Sequence, residues 1–157
     1  MCTGRTAGNR TEVPYRPMTD TQVTAFLASE PPHTGKLATV RADGRPHVAP
    51  VWYVLDDDGT IVFNTGEATV KGRNLRRDPR ASLCVDDERP PFSYVLFDGL
   101  AEISEDLAEV RRWATRIGGR YMGAARAEEF GARNAMAGEL LVRLRPSRVV
   151  SAVDLAD

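Results

Sequence analysis

The stretch TVRADGRPHVAPVWY, residues 39–53, decides the fold. Asp43-Gly44 is typical of the tight turn of a β-hairpin, so the strands on either side of it are predicted to pair. Pro50 lies in the second strand, residues 47–55, and cannot donate to a ladder, which predicts an edge position or a bulge. A strand lifted off its partner at Pro50 would expose backbone groups to the polar edge of a planar heterocycle. The structural alternative is a bulge that only closes a barrel.

The pattern outside this hairpin alternates short strands with helices that lie in the connections. Thr19 and Gln22 have the form of a capping box for a first helix, Asp98-Gly99 predicts a kink or bulge, and Pro146 is predicted to separate two final strands. The predicted strands cover residues 36–41, 47–55, 61–66, 80–85, 92–103, 139–144 and 149–153, and the predicted helices cover 19–30, 69–77, 105–121 and 126–136. Six or seven antiparallel strands with few crossover helices indicate a mainly β fold with α, built as an antiparallel barrel.

Composition excludes several classes of protein. With 157 residues, 42% hydrophobic and 27% charged, the chain has the size and balance of one globular domain. Residues 1–17 are predicted to be a disordered leader and residues 18–157 a single domain. The net charge of -1 argues against a nucleic-acid partner. No apolar run is long enough for a signal peptide or a membrane span, so we expect a cytoplasmic protein without a membrane partner. Two cysteines and two histidines show no metal-ligand spacing, and no metal site is predicted.

The segment NTGEATVKGRNLRR, residues 64–77, has a composition that suits a phosphate. Small and hydroxyl residues open a predicted helix, and Lys71, Arg73 and Asn74 fall in its first turns. Amides at a helix start and basic side chains converge on anions in this way. The structural alternative is a solvated basic helix.

The segment RPPFSY, residues 89–94, is a rigid proline pair that delivers two aromatic rings to the start of the fifth strand. The rings could line a cofactor pocket. Core packing or a subunit contact explains them as well.

In this order, the segments make the chain similar to the flavin and deazaflavin oxidoreductases of the split β-barrel superfamily, whose best-known relative is pyridoxamine 5'-phosphate oxidase. The resemblance covers residues 19–155, and no single piece of it is specific. Its motifs are DGRP at 43–46, PVW at 50–52, TVKGRNLRRDPR at 69–80 and DGLAE at 98–102. The resemblance implies a split β-barrel and a homodimer that holds a cofactor in the groove between two barrels.

The resemblance also implies where the cofactor binds. The phosphate side would be Lys71, Arg73 and Asn74. The strand along the tricyclic ring would be Ala49, Pro50, Val51 and Trp52, and Asn64 and Thr65 would adjoin the sugar-alcohol chain. Thr69 and Arg77 complete the set from one subunit, and a second subunit would add Tyr94 or residues near Arg120 and Tyr121.

Glu67 bears on which cofactor is bound. Oxidases that resemble this chain have an arginine four residues before the phosphate-site lysine, where this chain has Glu67, which would repel a phosphate. The resemblance therefore favours the deazaflavin coenzyme F420, whose anionic tail Arg73, Arg76 and Arg77 could follow.

The expected reaction is hydride transfer between the deazaflavin and a small organic substrate. No catalytic side chain is assigned, since an imidazole such as His47 in a hairpin strand is more often structural. The alternatives are an FMN-dependent oxidoreductase and a non-catalytic barrel that binds a flavin or a tetrapyrrole.

Overall fold

The computed structural model describes residues 15–156 and contains, within them, a seven-stranded sheet and four α-helices. The strands are β1 (Gly35–Val40), β2 (Pro46–Val51), β3 (Val54–Leu55), β4 (Ile61–Gly66), β5 (Arg80–Asp87), β6 (Ser93–Ser104) and β7 (Glu139–Ala152). The helices are α1 (Asp20–Leu27), α2 (Val70–Arg77), α3 (Leu107–Met122) and α4 (Ala127–Asn134), with a 3-10 helix at Ala124–Arg126. The predicted mainly β fold with helices in the connections is confirmed.

The sheet curls into a half-barrel. Its strand order is β2-β1-β5-β6-β7-β4-β3, and all neighbours are antiparallel. The two edge strands, β2 and β3, follow each other in the chain and are separated only by Trp52 and Tyr53. The edges of the sheet must therefore approach each other, since two residues join them. Pro50 lies on the edge strand β2, as its missing donor requires.

The core fills the inside of this curled sheet. Alternate side chains of the strands point inward and pack with Leu27 of α1, which follows the predicted capping box of Thr19 and Gln22. The largest fully buried side chains include Tyr53, Phe63, Leu37, Ile61, Leu83, Leu140 and Leu144. On the outer side, α3 packs through Val110, Trp113 and Ile117 against the neighbouring strands β4 and β7.

The last strand differs from its prediction. Residues 139–152 form one strand rather than two, so the prediction that Pro146 interrupts it was wrong. A bulge accommodates the proline, because Gly99 pairs with Pro146 and Asp98 with Arg148, which leaves Ser147 as the extra residue. A Cβ at Gly99 would lie 2.1 Å from the Arg145 carbonyl oxygen, so the close approach at the predicted bulge requires glycine.

The amino-terminal segment meets the end of β7. Residues 1–14 of the predicted leader lie outside the described residues. Arg16 is already paired with Val153, whose N–H donates to the Arg16 carbonyl oxygen at 3.0 Å, and the Arg16 guanidinium bonds the Asp154 carboxylate. Among residues 15–156, no helix has the length and apolar character that crossing a membrane requires.

Candidate functional site

The start of α2 is built by a tight turn after β4. The Thr69 hydroxyl oxygen accepts from the Gly72 N–H at 3.1 Å and lies 3.1 Å from the Thr65 hydroxyl. Thr69 is therefore the N-cap of α2, at the helix start that the segment predicts. A Cβ at Gly72 would lie 2.3 Å from the carbonyl oxygen of Gly66, so only glycine lets the helix pack on the turn.

A cavity of about 250 Å³ opens beside the first turn of α2. We call it the Lys71 cavity, and its lining residues are Pro50, Val51, Trp52, Asn64, Lys71, Ile117 and Asn134. Five of these residues are in the set that the resemblance implies. Ile117 and Asn134 are not, because they come from α3 and α4, whose sequences carry no local sign of a ligand.

Asn64 and Lys71 have polar groups that the chain itself does not use. The side-chain oxygen and nitrogen of Asn64 are both buried, and neither has a hydrogen-bond partner in the part of the chain that the structure describes. Lys71 makes no ion pair or hydrogen bond among the described residues. A buried amide without partners costs about 1–3 kcal/mol, so the pair suits a polar, anionic ligand.

The aromatic wall of the cavity is held from behind. Trp52 stacks on Tyr121, with ring centroids 5.0 Å apart and planes 3° apart, and its ring lies 5.6 Å from that of Phe130. The Tyr121 hydroxyl donates to the His33 carbonyl oxygen at 2.8 Å. Trp52 is therefore fixed by α3 and α4 while about a third of it stays exposed.

Arg120 fixes the link between β2 and β3. Its guanidinium donates to the Tyr53 carbonyl oxygen at 3.0 Å and to the Leu27 carbonyl oxygen at 2.5 Å. The Tyr53 ring is buried below this guanidinium, and burial raises the pKa of Tyr53 to about 12 although the Arg120 charge opposes the rise. Arg120 and Tyr121 thus support the link within their own chain, and the contribution of their neighbourhood to a second subunit stays a prediction.

Asn74 and Thr65 lie inside the barrel wall rather than in the Lys71 cavity. Asn74 is 4% exposed, and its amide donates to the Thr39 hydroxyl at 3.0 Å. Thr65 is 5% exposed and bonds Thr69. Both residues join α2 to the sheet, so in this chain they position the helix.

The arginines of α2 contact their own chain although they are exposed. Arg73 donates to the Ala68 carbonyl oxygen at 2.5 Å, and Arg77 donates to the Val40 carbonyl oxygen. Arg76 lies 3.2 Å from the carboxylate of Glu67 and 2.6 Å from that of Glu105. The negative charge of Glu67 is therefore compensated locally.

Glu139 lies at the base of the same turn, because it pairs with Gly66 in the ladder of β4 and β7. Burial raises the pKa of the Glu139 carboxyl, and the positive charges of Lys71 and Arg133 oppose that rise. The charge of Lys71 thus acts to lower the pKa of Glu139, although the two side chains form no ion pair.

Ala49 and Tyr94 fall outside the Lys71 cavity. Ala49 is half-buried opposite Leu37 and precedes Pro50 on β2. Tyr94 is on β6 and lines a second cavity of about 550 Å³, which we call the Lys36 cavity. Its lining residues are Lys36, Cys84, Asp86, Asp87, Glu88, Phe92, Ser93, Tyr94 and Leu155. One chain therefore does not bring Tyr94 together with Lys71.

Residues 15–156 contain no group of three or more histidine, cysteine, aspartate or glutamate side chains that could hold a metal ion. His47 lies outside the Lys71 cavity, with its Nδ1 atom 3.2 Å from the Arg41 guanidinium.

Known proteins share both the sequence pattern and the fold. The family model described as pyridoxamine 5'-phosphate oxidase matches residues 19–151. The conserved hypothetical protein Rv2991 from Mycobacterium tuberculosis is 31% identical, with a TM-score of 0.76 over 87% of this chain and 86% of that chain. A protein described as an F420 reductase is 26% identical, with a TM-score of 0.59 over 75% of this chain and 89% of that chain. The heme storage protein HutZ from Vibrio cholerae, 22% identical, shares the fold with a TM-score of 0.68 over 88% of this chain and 98% of that chain.

Proposed function

The chain belongs to the pyridoxamine 5'-phosphate oxidase family, and we propose that it is a coenzyme F420-dependent oxidoreductase acting on a small organic molecule. The observation that carries the proposal is the Lys71 cavity, where the Lys71 ammonium and the Asn64 amide, both without a partner in residues 15–156, share one space. The similarity to a protein described as an F420 reductase supports the same cofactor.

The residues of the Lys71 cavity fit the parts of such a cofactor. Lys71 and the backbone N–H groups at the start of α2 would hold a phosphate. Asn64 would bond a polar group beside the ring, and the strand from Pro50 to Trp52 would lie along the ring. When bound, the deazaflavin supplies the hydride, and the protein supplies its orientation.

Trp52 and Lys71 have different roles in this arrangement. Trp52 is held rigidly by Tyr121 and excludes water from one side of the site. Lys71 is the one titratable side chain among the residues that line the cavity, and it is assigned to the phosphate. The proton that accompanies the hydride therefore comes from solvent.

We also propose that the active protein is a homodimer. A volume of about 250 Å³ is below the usual range of ligand sites, about 300–1,000 Å³, so a second wall is needed for a cofactor of this length. A second subunit that brings Tyr94 to the Lys71 cavity would supply it. The free thiol of Cys84 fits a reducing compartment, and we assign the protein to the cytoplasm.

FMN is the second candidate cofactor, and one contact favours it. Glu67 would repel a phosphate if its charge were free, but Arg76 lies 3.2 Å from its carboxylate. Glu67 therefore disfavours FMN less than the sequence alone indicates. A tetrapyrrole held by histidine fits less well, because His33 and His47 do not line the Lys71 cavity.

Titration of the protein with F420 and with FMN, side by side, tests the proposal. We expect saturable binding of both or of F420 alone, with F420 the tighter ligand. Lys71→Ala should weaken F420 binding by about 1–3 kcal/mol, roughly fivefold to 150-fold. Arg45→Ala is the matched control, since Arg45 is exposed in the hairpin and pairs with Asp43 at 2.8 Å. Tighter binding of FMN, or no binding of F420, would overturn the assignment of the cofactor.

A further inference from the structure

The Lys36 cavity has the size and the walls of a small-molecule site. Its volume of about 550 Å³ falls in the usual range for such sites. Phe92, Tyr94 and Leu155 form apolar walls. One ion pair lies among the lining residues, with Lys36 Nζ 2.6 Å from Asp86 Oδ1 and both side chains about one third exposed. Apolar walls with a few convergent polar groups are the usual form of a binding site.

The rim of this cavity is held in a strained conformation. Phe92 (φ 60°) and Asp154 (φ 57°) are the non-glycine residues of the described chain with positive φ. Each such residue costs on the order of 1–3 kcal/mol, and strain of this kind is concentrated at functional sites. The Leu155 N–H donates to the Phe92 carbonyl oxygen at 3.1 Å, so the residue that follows Asp154 is joined to Phe92.

The strain is not explained by burial of the aromatic ring. Phe92 remains 39% exposed, whereas a ring placed only for packing would be covered. The backbone therefore keeps this ring at the mouth of the cavity, where a planar ligand could stack on it.

Charge restricts what the cavity can accept. Three carboxylates, those of Asp86, Asp87 and Glu88, line it against the single ammonium of Lys36. Even with Asp87 bound by Arg89 at 2.9 Å, the lining has no excess of positive charge, so an anion is disfavoured.

The ion pair selects a particular polar edge. Lys36 presents N–H donors and Asp86 presents carboxylate acceptors, side by side. The complementary ligand has a carbonyl oxygen next to an N–H or O–H group, as in a lactam or a hydroxy ketone.

We propose that the Lys36 cavity is the substrate site, and that the substrate is an uncharged, planar, conjugated molecule with adjacent carbonyl and N–H or O–H groups. The assignment as substrate rests on the proposed function, because Tyr94 lines this cavity and is the residue that a second subunit would bring to the cofactor. The substrate gains a hydride from the reduced deazaflavin at one carbon of a conjugated C=C bond and a proton from water at the other. That bond would become single, and the hydride would carry two electrons from the deazaflavin to the substrate.

Alkylation of Cys84 tests the binding site without any cofactor. Cys84 lines the cavity, and burial, together with the nearby Asp86 charge, raises the pKa of its thiol. The chain has one other cysteine, so Cys2→Ser leaves Cys84 as the single thiol. The rate of alkylation by iodoacetamide at one fixed alkaline pH is measured with three probes: carbostyril, a planar uncharged lactam; N-methylcarbostyril, which lacks the N–H; and the anion naphthoate.

We expect saturating carbostyril to slow alkylation at least tenfold, N-methylcarbostyril to need tenfold higher concentration, and naphthoate to give no protection. Lys36→Met and Phe92→Asn should each lose most of the protection by carbostyril. Asparagine tolerates the positive φ of residue 92, so the second variant removes the ring and keeps the backbone. Lys71→Ala is the control, and carbostyril should protect its Cys84 as well as it does in the parent.

Absence of protection by carbostyril, equal protection by naphthoate, or full protection in both variants would overturn the inference, even if F420 binds. Protection without any binding of F420 would instead remove the proposed function. The cavity would then remain a binding site, and its assignment to the substrate would be lost.

Discussion

The two lysines of the chain stand at two cavities and are used in opposite ways. Lys71 has no partner among the described residues, whereas Lys36 lies 2.6 Å from Asp86. The Lys71 cavity can therefore attract an anion, and the Lys36 cavity must recognise a ligand by shape and by its hydrogen-bonding edge. The same side chain produces different chemistry because its surroundings differ.

Local structure explains the difference. Lys36 is on the ladder of β1 and β5, directly opposite Cys84, so Asp86 is its diagonal neighbour and lies within reach of its side chain. Lys71 is on the first turn of a helix, where Glu67 is bound by Arg76 and Glu139 makes no ion pair with it. Strand register therefore places a carboxylate beside Lys36, whereas the acidic residues near the start of α2 form no ion pair with Lys71.

Gly72→Ala should have the largest effect, because it should disrupt the Lys71 cavity and leave the Lys36 cavity unchanged. The new Cβ would lie 2.3 Å from the Gly66 carbonyl oxygen, a backbone atom that cannot move aside. Overpacking of this kind should lower the free energy of unfolding by about 3 kcal/mol, measured by urea denaturation. Binding of F420 should weaken, while alkylation of Cys84 in the folded protein should be unchanged.

Gly119→Ala is the control for this substitution. Its Cβ would meet the Ala127 methyl at 3.3 Å, and alanine favours the helix, so the free energy of unfolding should change by less than about 1 kcal/mol. A Gly72→Ala variant as stable as the parent would contradict the packing that we describe at the start of α2.

Two asparagines provide the next contrast, since the resemblance assigns both of them to the cofactor. Asn74→Ala removes the bond to the Thr39 hydroxyl and leaves that buried group unpaired, so it should destabilise by about 2 kcal/mol. Asn64→Ala removes an amide that has no partner among the described residues, so it should not lower the free energy of unfolding, while it weakens F420 binding. Urea unfolding and F420 titration of both variants would contradict this division if the two effects were exchanged.

Local patterns predicted the frame of the fold, and distant contacts decided the rest. The capping box at Thr19, the Asp43-Gly44 turn and the bulge at Gly99 each follow from a few adjacent residues. The continuity of β7 through Pro146 does not, because it depends on the bulge being matched across the sheet.

The candidate site was predictable to the same extent. The strand at Pro50 and the helix start at Lys71 carry local patterns, and the structure brings them into one cavity. The contrast between Asn64 and Asn74 depends on which way each side chain faces. Asn134 reaches the cavity from a helix far along the chain, where no pattern indicates a ligand.

The lysines themselves supply a third and smaller contrast. Lys36→Ala leaves the Asp86 carboxylate without its partner and should destabilise by up to about 1 kcal/mol, as half-exposed pairs do. Lys71→Ala breaks no ion pair or hydrogen bond among the described residues, so it should change the free energy of unfolding less than Lys36→Ala does. A double-mutant cycle of Lys36→Ala with Asp86→Ala isolates the pair, and a coupling energy of zero would contradict its contribution.

The smallest effect is expected at Glu139, whose carboxyl lies near the charge of Lys71. Burial raises the pKa of Glu139 in the folded protein, so its stabilising contribution is full below the pKa of the unfolded chain and is lost as pH rises through the folded value. Glu139→Gln should therefore gain stability relative to the parent at about pH 8 but not at about pH 4, in urea unfolding at both values. Removal of this carboxylate should also tighten F420 binding at Lys71.

Glu129→Gln is the control for this substitution. It should lose stability relative to the parent at about pH 8, because the bond to Arg126 lowers the pKa of Glu129. Equal changes in the free energy of unfolding at both pH values would contradict a raised pKa of Glu139.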